Sequence, residues 1–108
     1  MAKLTFKYKL KLVKGMRPTT FRINSSYLQD EELAKSESAT EPATYEGEIT
    51  ATTFLESVTV SVFGVGTPFL NGTFNVSLNG KNLFDKDQTL DVNKKGRFRF
   101  YKKETKLP

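Results

Sequence analysis

A chain of 108 residues with no cysteine, no histidine and no tryptophan has the length of one domain, read as residues 1–108. Those absences exclude disulfide staples, thiolate nucleophiles, the commonest general base and the usual zinc ligands. Net charge is +5 at pH 7, and no stretch of 18 apolar residues exists to span a bilayer.

Residues 3–12 alternate strictly. Leu4, Phe6, Tyr8, Leu10 and Leu12 share one face, and Lys3, Thr5, Lys7, Lys9 and Lys11 the other. Period two over this length predicts a half-buried strand. Lysines at this place, where a leader would be apolar, argue against a signal peptide. The expected location is intracellular, in the cytoplasm or within a viral particle. Gly15 and Pro18 break the strand, and a second run, Thr19 to Ile23, follows closely enough to predict a hairpin with the first.

Residues 25–43 depart from the β pattern. Ser26 and Gln29 have the spacing of a capping box, and Asp30, Glu31 and Glu32 would occupy first helical turns, where the backbone dipole favours acids. One short helix and then a polar loop are expected, the alternative being a loop throughout. Tyr45 to Leu55 resumes the alternation, and Ser57 to Phe63 places Val58, Val60 and Val62 on one side. Gly64, Gly66 and Pro68 predict a turn or bulged edge.

Thr73 to Leu78 is a further strand, followed directly by Asn79-Gly80, the pair that suits a type I′ hairpin, with return strand Lys81 to Phe84. Leu90 and Val92 begin another strand. Asn93-Lys94-Lys95-Gly96 has Asn first and Gly last, as a turn with a bulge glycine requires. Arg97 to Lys103 is the last strand. The pattern predicts an all-β fold, or β with one short helix: an antiparallel sandwich or small barrel of seven to eight strands.

Charge is uneven along this pattern. Residues 1–22 carry seven basic groups and no acid, residues 94–108 carry seven against Glu104, and residues 23–93 carry three against eleven acids. The candidate basic face joins Lys3, Lys7, Lys9 and Lys11 of the first strand to Arg97, Arg99, Tyr101 and Lys103 of the last, should the two strands lie together.

Motifs for chemistry are weak. Asp85-x-Asp87-x-x-x-Asp91 lacks the glycine and bidentate glutamate of a calcium loop. Gly64-Val65-Gly66 lacks the third glycine and following helix of a dinucleotide site. Glu46 and Glu48 share the polar face of a strand, the common place for solvated acids, with no cleft to shift their acidity. No enzyme, cofactor, metal or small-molecule substrate is expected. The expected function is a non-catalytic binding or assembly module, such as a structural or adaptor protein of a phage or other particle. Its partner would be another protein or copies of itself, met by the basic strands or the acidic 27–48 segment, with no membrane contact. The alternative is a single-stranded nucleic-acid-binding protein of OB-like type using a basic β face.

Overall fold

The computed structural model describes residues 2–108. Nine strands and one helical turn follow in order: β1 (Ala2–Lys11), β2 (Met16–Ile23), β3 (Ser26–Gln29), α1 (Asp30–Ala34), β4 (Thr44–Thr53), β5 (Ser57–Gly66), β6 (Asn71–Leu78), β7 (Lys81–Asn82), β8 (Gln88–Asp91) and β9 (Arg97–Lys106). They form two antiparallel sheets. Sheet A runs β4-β1-β6, with β7 and β8 both on the far side of β6; sheet B runs β3-β2-β5-β9. Neither sheet closes on itself, so the architecture is a sandwich and not a barrel.

The alternation of β1 is realised as drawn from the sequence. Phe6, Tyr8, Leu10 and Leu12 are buried, and the lysines point outward. The inner face of sheet A meets Phe21, Ile23, Val60, Val62 and Phe98 of sheet B in one core. Aromatic rings bridge the sheets. Tyr8 and Phe21 have centroids 4.8 Å apart, as do Phe74 and Phe100, the latter edge-to-face. Such pairs add about 1 kcal/mol beyond their buried area.

The expected hairpin of the first two strands does not form. Both flanks of β1 are taken, by β4 and β6, and β2 pairs with β3 and β5 in the other sheet. The chain changes sheets at Leu12–Gly15, where Gly15 has φ of +99° and the Met16 N–H closes a turn on the Val13 carbonyl at 3.0 Å. Strand β2 starts at Met16, earlier than expected, because Pro18 is accommodated beside a bulge between Pro18 and Thr20. A bulge leaves one residue out of the ladder, so the missing proline N–H costs no ladder bond.

Two further expectations are corrected. Ser26–Gln29 is a strand paired to β2, and the helix begins one residue after it. The serine–glutamine spacing therefore caps nothing; the Gln29 N–H instead donates to Glu32 Oε1 at 3.4 Å, with all three acids in the first turn as expected. Residues 36–43 form a loop closed by backbone bonds, among them Ser38 N to Thr44 O at 2.7 Å, and the Glu37 carboxylate accepts from the Ala43 N–H at 3.0 Å. Gly64 and Gly66 belong to β5 and are not a turn. A Cβ on Gly64 would run into the Phe98 ring and the Arg17 carbonyl, so glycine is required there by close packing.

The two hairpin signals differ in outcome. Asn79 and Gly80 have φ of +53° and +80°, and Leu78 pairs with Lys81 across them, the expected type I′ arrangement. The Asn93–Gly96 turn also forms: Gly96 N donates to Asn93 O at 3.0 Å, Asn93 N to Arg97 O at 2.8 Å, and Gly96 has φ of +78°. It leads from β8 in sheet A to β9 in sheet B, so it carries the chain between sheets.

Candidate binding faces

The basic strands β1 and β9 lie in different sheets. The candidate face therefore divides: Lys3, Lys7, Lys9 and Lys11 lie on the outside of sheet A, and Arg97, Arg99, Tyr101 and Lys103 belong to sheet B. The two halves are separated by the core, and the geometry and charge of each decide what it can do.

On sheet A two of the four lysines face acids, and Lys3 and Lys11 face Thr52 and Thr44. Lys7 is the cross-strand partner of Glu48, and Lys9 of Glu46. Lys9 Nζ lies 2.9 Å from Glu46 Oε1. The hydrogen bond and charge of Glu46 hold the Lys9 ammonium above the ordinary lysine range. Lys7 and Lys9 are flanked on the other side by Ser77 and Asn75 of β6. A shallow groove of about 450 Å³ crosses this face, lined by Lys7, Lys9, Lys11, Glu46, Glu48, Asn75 and Asp87 among others. Its charges are mixed. Asp87 is held at its rim by the Asn75 amide, which donates to Asp87 Oδ1 at 2.9 Å and to the Phe84 carbonyl at 3.1 Å. No group of three carboxylates that would hold a metal occurs among the described residues; Asp85 and Asp87 lie between β7 and β8, and Asp91 ends β8.

Sheet B presents a different surface. Cross-strand register places Tyr27, Arg22, Ser61 and Tyr101 in one row across β3, β2, β5 and β9. Gln29, Thr20, Phe63 and Arg99 form the adjacent row, and Arg17, Val65 and Arg97 the next. The four arginines are all the arginines of the protein, and all four are exposed. No carboxylate occupies any of these positions. Among the described residues the one ion pair is Lys9–Glu46, so no arginine is paired. Tyr27 and Tyr101 are 50% and 55% exposed, Phe63 is half-buried between them, and Ser61 lies buried beneath its longer neighbours. The Arg22 guanidinium sits 5.5 Å from the centroid of the Tyr27 ring, close enough for cation–π attraction. Lys103 lies at the far end of β9, beside the register shift opposite Val58–Val60.

Arg17, Arg22, Tyr27 and Phe63 were not legible as members of this face. Arg17 and Arg22 are five residues apart, which puts them on opposite sides of a regular strand. The bulge after Pro18 adds the residue that returns both to the same side. Proline inside a strand is the one local signal of such a bulge. Tyr27 fell in a segment whose acids favoured a helix.

Two loop tips expose large apolar groups: Phe54 and Leu55 between β4 and β5, at 73% and 75%, and Phe69 between β5 and β6, at 78%. No helix among the described residues is long and apolar enough to cross a membrane. No family model, curated protein or solved structure matches the chain.

Proposed function

We propose that this protein is a non-catalytic binding module that engages an anionic macromolecular partner through the outer face of sheet B. One observation carries the reading. All four arginines fall in three adjacent rows whose register positions hold no carboxylate, while Lys7 and Lys9 of sheet A stand against Glu48 and Glu46. Unpaired guanidiniums offer planar forks for phosphate, sulfate or carboxylate oxygens and remain charged at any working pH. Lysines already facing acids have less field to offer a ligand.

Heparin chromatography with charge-matched variants tests this. Arg22→Glu/Arg99→Glu should elute at much lower salt than the parent. Lys7→Glu/Lys9→Glu, with the same change in net charge, should shift clearly less. Equal shifts would mean that retention follows net charge alone, and the assignment to sheet B would fail.

Assembly with another protein or with copies of itself is the second reading, favoured by the exposed Phe54 and Leu55. Light scattering during gel filtration decides it for self-assembly: an oligomer that Phe54→Ser/Leu55→Ser converts to monomer supports it, and a monomer at all concentrations removes it.

A further inference from the structure

Resting on the anionic-partner reading, we propose that the ligand of the sheet B face is a single-stranded nucleic acid, with bases stacked on Tyr101 and Tyr27 and phosphates held by the surrounding arginines. The face has two components, and an anion alone needs only one of them. Arginines would serve any polyanion. Exposed flat rings in the row of Arg22, one and two rows from the other arginines, serve a ligand that is both charged and planar.

The geometry favours unpaired bases. Tyr27 and Tyr101 lie on the two edge strands of a four-stranded sheet, three strand spacings apart, about 14 Å. Between them Phe63 is set diagonally from Tyr101, one row along. The rings therefore lie across the strands, where a chain bound in that direction would meet them in turn. Stacking requires a base whose face is free, and a duplex hides its base faces. Reading a duplex instead requires a helix or ribbon that enters a groove, and the outer side of this sheet carries neither. An acidic peptide would meet the arginines and leave the rings without a role. Arg22, over the Tyr27 ring, is already placed where a guanidinium can stack beside a base and reach its phosphate.

The experiment uses the full chain and fluorescein-labelled oligothymidylate and oligouridylate of ~12 nucleotides, a span within known single-strand site sizes. A duplex of the same length, heparin and polyglutamate serve as comparators. Expected is oligonucleotide binding tighter than duplex binding, with affinity falling as about the third power of salt, the slope for four phosphates on a single strand. Arg22→Ala/Arg99→Ala should lower that slope by about 1.4. Tyr27→Ala/Tyr101→Ala should weaken binding by at least ~10-fold and leave the slope unchanged, because stacking releases no counterions. Tyr27→Phe/Tyr101→Phe should restore it. Both tyrosines are half exposed, so these variants keep the core.

The outcomes separate the two claims. Retention on heparin with no oligonucleotide binding, equal binding of duplex or polyglutamate, or full affinity in the tyrosine-to-alanine variant overturns the single-strand inference and leaves the anionic-partner reading standing. Failure to bind heparin and oligonucleotide alike at about 50 mM salt, where the electrostatic contribution is strong, overturns both.

Discussion

Asn24 shows how one side chain ties the two sheets. It follows β2 with φ of +54°, a left-handed conformation that asparagine tolerates better than most residues. Its amide donates to the Thr52 carbonyl of β4 at 3.0 Å and its Oδ1 accepts from the Thr59 N–H of β5 at 2.9 Å. Asn24→Ala removes both bonds and leaves a left-handed alanine, so a loss of about 2–3 kcal/mol is expected. Thermal unfolding should show it as a fall of roughly 10 °C or more in Tm for a domain of this size. Thr105 is the opposite case. It is buried, and its hydroxyl has no partner. Thr105→Val should leave Tm unchanged or raise it, since the unsatisfied group disappears while the shape stays; a fall worth more than about 1 kcal/mol would mean that the hydroxyl is bonded in solution. Neither role was visible in the sequence. The bonds of Asn24 go to positions 28 and 35 residues away.

At the scale of elements, periodicity was the reliable signal and pairing was not. The inward and outward sides of β1, β4, β6 and the first half of β5 follow directly from alternation, because side chains on a strand have period two whatever their neighbours are. The type I′ turn at Asn79-Gly80 was equally legible, since its φ angles are a local demand. Glycine at 64 was misread because its reason is not local. The two glycines predict contrasting costs. Gly64→Ala should destabilise by more than about 2 kcal/mol, as the new methyl collides with Phe98 and with backbone. Gly80→Ala has open space around it and should lose only about 1 kcal/mol, from the positive φ. Urea titrations of the two variants side by side check the order. An equal cost would mean that the sheet relaxes around Gly64.

For the whole molecule, burial sets a response to alkali. The Tyr8 hydroxyl is pushed up from 10.0 chiefly by burial, with Glu32 adding to the shift and a hydrogen bond with Ser36 opposing it. Tyr45 is pushed up in the same way, with Glu37 adding and Arg17 opposing. Below the unfolded value of 10.0 both states hold these protons and the tyrosines contribute no slope. Above it the unfolded chain ionises first, so stability falls as pH rises toward the folded pKa values. The urea midpoint should drop above about pH 10, and Tyr8→Phe should make the drop shallower; an identical pH profile would show that Tyr8 ionises as freely folded as unfolded. Charge is likewise a property of the assembled molecule. The excess of basic groups at both chain ends is plain in the sequence, and so is the β class, because composition and period two are local. Which charges share a surface depends on which strands pair, and pairing is decided by contacts between distant segments. The fold sends β1 and β9 to opposite sheets, sets Glu46 and Glu48 against Lys9 and Lys7, and uses one bulge to bring Arg17 and Arg22 beside Arg97 and Arg99. Local pattern determined the strands, and only tertiary packing decided that arginines and tyrosines would form the unneutralised face.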